Sequence, residues 1–211
     1  MKKIVLIGAG GHCKVIIDII QSTKEYEIVG ITDTKETGII FDIPVIGNDD
    51  ILQELYKTGV EYAFISIGSI NDFEKRNKIF KMIKSIGFKI PVLIHKSAIV
   101  SQFSSIEEGT CIMAGAVINP GTIIGENCII NTGSVVEHDC MVGNNTHISP
   151  NASIAGNVAI GCNTHIGIGS TVIQGKTLGE NVTIGAGAVV IDDIIDNSLA
   201  VGVPAKVIKI K

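Results

Sequence analysis

The chain has 211 residues, enough for one or two domains, and a net charge of −4 that gives no footprint for nucleic-acid binding. Trp is absent and aromatics make up only 4%, too few rings for an ordinary globular core. No apolar run nears a membrane span, Ile4–Ile7 is too short for a secretory signal, and the five Cys form no CxxC pair, so a cytoplasmic protein with free thiols and no membrane contact is expected.

The first 92 residues alternate strand and helix signals. Lys3–Ile7 predicts a strand ending in Gly8-Ala9-Gly10-Gly11-His12, followed by a helix on which Val15, Ile16, Ile19 and Ile20 share a face. Glu27–Ile31 predicts a second strand ending at Thr32-Asp33, and Pro44–Ile46 a short third. Asp49–Tyr56 predicts a helix capped by Asn48 or Asp49. Tyr62–Ile67 predicts a strand ending at Gly68, Asp72–Ile86 an amphipathic helix and Lys89–Leu93 a last strand. This alternation predicts a Rossmann-like α/β domain over 1–92 with a parallel sheet covered on both faces.

From Ile94 to Val190, Ile, Val or Leu stands at every sixth residue, seventeen times without a slip. A six-residue period predicts a parallel β-helix over 93–211, in which three hexads make one triangular coil and residues eighteen apart stack. Numbered from the large aliphatic, the fourth position is Gly, Asn or Asp from Gly109 to Gly187, with Ser97 and Phe103 the exceptions. Those residue types tolerate a left-handed backbone, so each marks a corner. The fifth position is mostly small, as at Thr110, Ala116, Cys128 and Cys140, and fits inside the prism. Nearly six coils give a length of roughly 25–30 Å. The hexads carry no insertion, so the outer faces are bare.

Several segments together carry a family resemblance over the whole chain. They are Gly8-Ala9-Gly10-Gly11-His12 with Lys14-Val15, Gly30-Ile31-Thr32-Asp33, Ile67-Gly68, Glu137-His138-Asp139-Cys140 and Gly202-Val203-Pro204-Ala205-Lys206. The chain resembles bacterial hexapeptide-repeat sugar acetyltransferases, the PglD-type nucleotide-sugar N-acetyltransferases and the NeuD-type sialic acid O-acetyltransferases. The resemblance implies a left-handed β-helix, a homotrimer with active sites between subunits, and acetyl-CoA as acetyl donor. It implies as acceptor the amine of a nucleotide-linked amino sugar of the UDP-4-amino-sugar type, for surface glycan synthesis. A sugar hydroxyl is the same-fold alternative. A nucleotide-sensing scaffold without catalysis is the alternative of another class.

Within that frame His138 is the candidate general base, with Asp139 holding its tautomer; the plain alternative is a solvated His beside one more turn residue. Gly156, eighteen residues on, is expected to sit one coil from His138 and to offer its N–H to the thioester oxygen, or else to serve a tight turn. His147 and His165, also eighteen apart, should stack on one outer face, and His147, nine residues from His138, cannot easily meet it within one subunit but could meet it across a trimer interface. The column Gly125, Gly143, Gly161 and Gly179, and the shorter pair Gly167 and Gly185, either expose amides to a pantetheine arm or are simply the Gly that hexads often take at this position. Lys206 is a candidate for coenzyme A phosphates. The residues assigned to the acetyl donor are therefore His147, Gly156, Gly161, His165, Gly167, Gly185 and Lys206. In the first domain, Cys13 stands where a dinucleotide fingerprint has its third Gly, which argues against a nicotinamide cofactor. The resemblance places a sugar nucleotide near Gly10, Gly11, His12, Asp33 and Gly68. Three His on a β-helix also raise a zinc hydratase, but spacings of nine and eighteen lack that family's close His pair, and no metal is expected. Cys128 and Cys140 read as interior fillers.

Overall fold

The apolar run at the N-terminus becomes an interior strand of a sheet, with a parallel neighbour on each side. In the computed structural model, β1 (Lys2–Ile7) pairs in parallel with β2 (Tyr26–Thr32) on one side and with β5 (Tyr62–Ile65) on the other. Ile4, Val5, Leu6 and Ile7 are completely or almost completely buried. The model describes residues 1–35, 37–69 and 73–211. They form two compact units, Met1–Lys96 and Ser97–Lys211.

In the first unit, α1 (Gly11–Thr23) buries Cys13, Ile16, Ile17, Ile19 and Ile20, so Ile17 joins the apolar stripe while Val15 is only half-buried. β4 (Ile43–Gly47) extends the parallel sheet beyond β2. β3 (Ile39–Ile40) closes that edge antiparallel to β4. This hairpin is absent from the sequence expectation. Its two-residue turn puts Phe41 at φ 48° and Asp42 at φ 67°, and Phe is a poor turn signal. The single helix expected over 49–56 is a 3₁₀ turn, Asp49–Ile51, followed by α2 (Leu52–Lys57). Asn48 caps it through Oδ1, which accepts from Asp50 N at 2.9 Å. α3 spans Phe73–Ile86, and the expected start at Asp72 lies outside the described residues. The strand expected over Lys89–Leu93 does not form. Lys89 alone bridges Tyr62, and Pro91 cannot donate to a ladder.

The second unit obeys the hexad. Strand pairs recur in parallel at eighteen-residue register, as in Val117↔Val135, Ile123↔Met141 and Ile129↔His147. Face one runs from Ile99–Val100 to Val189–Val190 and face two from Ser105–Ile106 to Thr177–Leu178. Face three includes Cys111–Ile112 to Thr183–Ile184 and is extended by Ser198–Val201 and Lys206–Ile210. Every fourth-position Gly, Asn or Asp from Gly109 to Gly187 has positive φ, whereas Ser97 and Phe103 do not. Residue type thus follows the backbone demand at each corner.

Inside the prism the large aliphatics stack, with Ile112, Ile130, Ile148 and Ile166 all fully buried on face three. Buried fifth-position hydroxyls are satisfied by the coil itself. Thr110 Oγ1 donates to Gly125 O at 2.8 Å and accepts from Cys128 N at 2.9 Å. Thr122 repeats the pattern with Glu137 O at 2.7 Å. Each of these two hydroxyls therefore carries a bond that offsets its lost hydration.

Candidate active site

His138 and Asp139 form the corner between the face-one strand Val135–Val136 and the face-two strand Met141–Val142. Asp139 adopts φ 59°, and its N–H donates to Pro120 O at 3.1 Å, which ties the corner to the preceding coil. In this turn the two neighbouring side chains both reach outward. Asp139 Oδ2 lies 2.9 Å from His138 Nδ1, and the two side chains are 67% and 61% exposed. A carboxylate only accepts, so the bond assigns the proton to Nδ1 and leaves the Nε2 lone pair open.

Gly156 lies directly one coil on from this imidazole. A Cβ added there would sit 2.6 Å from His138 Nε2 and 2.7 Å from Cε1. Gly156 is not among the positive-φ glycines, so its backbone conformation does not demand glycine; the ring beside it does. Its carbonyl accepts from Gly175 N at 3.0 Å, and no acceptor among the described residues bonds its N–H. Asn157 N donates to His138 O at 2.9 Å, which fixes one coil against the other.

His147 and His165 pair across face three as expected, with ring centroids 5.2 Å apart and a 29° interplanar angle. His147 is nonetheless buried at 6% exposure, and its Nε2 lies 3.0 Å from Asn131 Nδ2. The amide donates there, so Nε2 is an acceptor and is already engaged. His165 Nε2 lies 2.8 Å from Ser149 Oγ, while His165 Nδ1 is buried without a partner. Burial, and secondarily the charge of Lys211, hold the His165 pKa below its usual value. Face three is the side of the triangle opposite the His138 corner, so the three imidazoles do not converge. Among the described residues no group of three His, Cys, Asp or Glu could hold a metal. Asn131 and Ser149 escape a search at eighteen-residue spacing; each lies sixteen residues before its histidine, the offset from second to sixth position.

The glycine columns differ from expectation in one respect. Their amides are not free, because Gly161 N donates to Leu178 O at 2.8 Å, Gly167 N to Ile184 O at 2.9 Å and Gly185 N to Ala200 O at 2.9 Å. Close packing of coils explains these glycines. A Cβ on Gly161 would come 2.5 Å from Gly179 C, one on Gly167 2.5 Å from Ile184 O, and one on Gly185 2.8 Å from Val201 Cγ1. What the longer column does provide is a smooth floor. Gly125, Gly143, Gly161 and Gly179 line a groove of about 520 Å³ on face two, beside exposed Ile123 and Met141. Lys206 is exposed, with Nζ 3.3 Å from Asp192 Oδ2. Cys128 and Cys140 are fully buried, and burial pushes the Cys140 thiol pKa up, against any role as a nucleophile.

In the first unit the loop after β1 lies where β2 and β5 flank it, the switch point of a parallel sheet. Ser66 Oγ lies 2.9 Å from Ile7 O and 2.6 Å from Gly8 O, which fixes the loop base. Asp33 Oδ2 accepts from Ala9 N at 2.7 Å and Oδ1 from Lys35 N at 3.0 Å. The Lys35 and then the Ala9 bond hold its carboxyl below the usual carboxylate range. Gly10 caps α1 without a side-chain bond and α1 has no acidic residue in its first turn. A Cβ on Gly10 or Gly11 would meet nothing within 4 Å, so neither glycine serves internal packing. Gly68 lies against His12, whose Cβ is 3.7 Å from where a Gly68 Cβ would be.

Comparison with known proteins matches both units. Residues 3–83 fit the PglD N-terminal domain, and residues 103–138 and 121–156 fit the bacterial transferase hexapeptide model of six repeats. The chain is 39% identical to perosamine N-acetyltransferase from Caulobacter crescentus, solved with CoA and GDP-perosamine as a His-to-Asn variant; the match covers 98% of this chain and 97% of that one, at TM-score 0.94. It is 37% identical to the acetyltransferase domain of PglB from Neisseria gonorrhoeae FA1090, solved with acetyl coenzyme A, over 98% and 99% of the two chains at TM-score 0.93. WeeI from Acinetobacter baumannii AYE, at 22% identity over 97% and 99% and TM-score 0.79, shares the fold. The hexad coils are thus those of a left-handed parallel β-helix behind an α/β domain. The chain belongs to the PglD-type bacterial sugar N-acetyltransferases, hexapeptide-repeat enzymes that take their acetyl group from acetyl-CoA.

Proposed function

We propose that this chain moves the acetyl group of acetyl-CoA onto the amine of a nucleotide-linked amino sugar at the His138 corner. The observation that carries the assignment of roles is the dyad itself. Nδ1 is 2.9 Å from Asp139, and Nε2 faces a glycine whose N–H is unbonded among the described residues. The sugar amine attacks the thioester carbonyl carbon, and His138 Nε2 takes the amine proton as the C–N bond forms. Asp139 stabilises the imidazolium through Nδ1–H. The carbonyl oxygen gains charge and accepts from Gly156 N–H. The C–S bond then breaks, and the departing thiolate takes the proton from His138, leaving amide, free CoA and a neutral base.

The groove along Gly125, Gly143, Gly161 and Gly179 gives the pantetheine arm a surface matched by shape, with Met141 and Ile123 as its apolar wall. Lys206 serves the phosphates of CoA. The α1 N-terminus, kept open by Gly10 and Gly11, suits the nucleotide phosphates, with Asp33 and His12 beside it; carboxylate lone pairs not used by Ala9 and Lys35 remain for ribose hydroxyls. UDP is the nucleotide expected. The active enzyme is a homotrimer. Ile123 and Met141 on face two and Ile99 on face one are exposed apolar side chains that a neighbouring subunit would cover, whereas His147, buried and engaged by Asn131, and His165, held by Ser149, are not assigned to the acetyl donor. No helix among the described residues is long and apolar enough to cross a membrane. A cytoplasmic reaction is the reading that matches acetyl-CoA as donor.

The test is direct. Purified protein with acetyl-CoA and a panel of UDP-, GDP- and dTDP-linked 4-amino sugars should release CoA thiol and give an acetamido product by mass spectrometry. Thiol release with hydroxyl sugars alone would move the acceptor to oxygen. Sedimentation showing a stable, active monomer would remove the trimer.

A further inference from the structure

Two glycines flank the His138–Asp139 corner, and the imidazole accounts for only one of them. Gly121 lies eighteen residues before Asp139, and Asp139 Oδ1 rests directly against it. A Cβ on Gly121 would overlap Oδ1 and come 3.4 Å from Cγ. Gly121 has φ +78°, but a left-handed backbone alone does not require glycine in this prism, since Asn127, Asn145 and Asn181 occupy equivalent corners at φ 56°, 58° and 55°.

Those asparagines show what a corner side chain does when its neighbour has one too. Asn127 Nδ2 donates to Asn145 Oδ1 at 2.8 Å, and Asn181 Nδ2 donates to Asn197 Oδ1 at 3.1 Å. In both cases the earlier coil supplies the donor and the later oxygen is consumed. At Asp139 the earlier coil supplies glycine, which offers room and no donor. The carboxylate therefore leans into that space on Oδ1 and keeps Oδ2 on His138 Nδ1 at 2.9 Å.

We propose that Gly121 is a positioning residue for acetyl transfer: it seats the Asp139 carboxylate in the orientation that meets His138 and withholds the corner amide that would compete for it. The proposal rests on His138 acting as base. The groups around the imidazole make the effect readable. The coils above and below present Pro120, Gly121, Gly156 and Asn157, none of them ionisable, and the flanking titratable groups are Glu137, Asp139 and the buried Cys140 thiol. A donor placed on Asp139 thus acts on His138 with little else in the way. It would draw charge from the carboxylate and make the imidazolium easier to deprotonate.

The test uses Gly121→Asn, a residue this fold accepts at such corners, beside Gly133→Asn. Gly133 has φ +65° and a Cβ there would sit 2.5 Å from Asn151 Oδ1, so the same change is made on a corner without the histidine. Gly121→Asn should stay folded, lose about tenfold in kcat with KM for acetyl-CoA unchanged, and move the acid limb of its kcat–pH profile to lower pH. Gly133→Asn should leave kcat and profile as they are. In an Asp139→Asn background, adding Gly121→Asn should change kcat less than about twofold, because the charge it competes for is gone. If Gly121→Asn fails to fold, Gly121→Ala displaces Oδ1 without adding a donor and should show the kcat loss. Wild-type kcat and pH profile in a folded Gly121 variant, beside an inactive His138→Ala, overturns the proposal alone. Wild-type turnover in His138→Ala overturns the base assignment and this proposal together.

Discussion

Two corners of one prism share a backbone and differ in what their side chains do. Between faces two and three the fourth position runs Asn127, Asn145, Asn163 and Asn181, and side-chain amides zip coil to coil at 2.8 Å and 3.1 Å where Asn127 and Asn181 donate. Between faces one and two it runs Gly121, Asp139, Asn157 and Gly175, and the carboxylate turns sideways to a histidine. A repeat specifies its fold many times over. Each corner needs only a residue that accepts positive φ, so individual rungs are released from the ladder without losing the coil. The glycines teach the same lesson. Gly161 is held by the fold, because the next coil's backbone is in contact, whereas Gly156 is held by the candidate site, because the three nearest atoms a side chain there would meet all belong to the His138 ring.

The largest expected effect separates the corners outright. His138→Ala should lower kcat by roughly 10²–10⁴-fold with acetyl-CoA affinity unchanged, measured by thiol release and calorimetry. Asn145→Ala, which breaks the zipped corner, should leave kcat alone and cost about 1–2 kcal/mol in denaturant unfolding, from a left-handed Ala and a lost bond. A kcat loss in Asn145→Ala as large as in His138→Ala would erase the distinction.

Next in size is Gly156→Ala. Its methyl would lie 2.6 Å from His138 Nε2, so the ring must swing out. The expected outcome is a kcat loss of about 10²-fold with a nearly unchanged melting temperature. Gly161→Ala should do the reverse, losing about 1–3 kcal/mol of stability because backbone cannot yield as a ring can. Equal melting temperatures for the two variants would contradict the division between site glycine and fold glycine.

A smaller effect concerns the stacked pair on face three. The His165 pKa is lowered in the folded state, by burial first and Lys211 second, so the unfolded chain binds this proton more readily. Stability attributable to neutral His165 is present above the unfolded value near 6.5 and is lost as pH falls through the lower folded value. Between pH 7 and 5 the wild-type melting temperature should therefore fall more steeply than that of His165→Gln. Parallel slopes would show that this imidazole is not linked to folding.

The hexads made the β-helix, its corners and its interior legible, because period and backbone φ act residue by residue. The pairing of His147 with His165 and the adjacency of His138 to Gly156 followed from eighteen-residue arithmetic. Less was legible in the first domain. The Ile39–Ile40 hairpin hides behind a Phe in its turn, and Pro91 breaks a strand that apolar content alone suggested.

By itself, the sequence determined the coil, the residues at each corner, the outward-facing His138–Asp139 pair at one of them and the free-thiol interior, since all of these depend on local conformation and a strict period. Tertiary structure alone decided how each atom is used. It placed the amides of Gly161, Gly167 and Gly185 in the ladder, engaged His147 Nε2 with Asn131, and left Gly156 N–H without an acceptor among the described residues. It also set Asp139 Oδ1 against Gly121. The physical reason is that a period fixes which residues stack, while hydrogen bonds and close contacts between stacked residues depend on side-chain rotamers and on what the next coil offers.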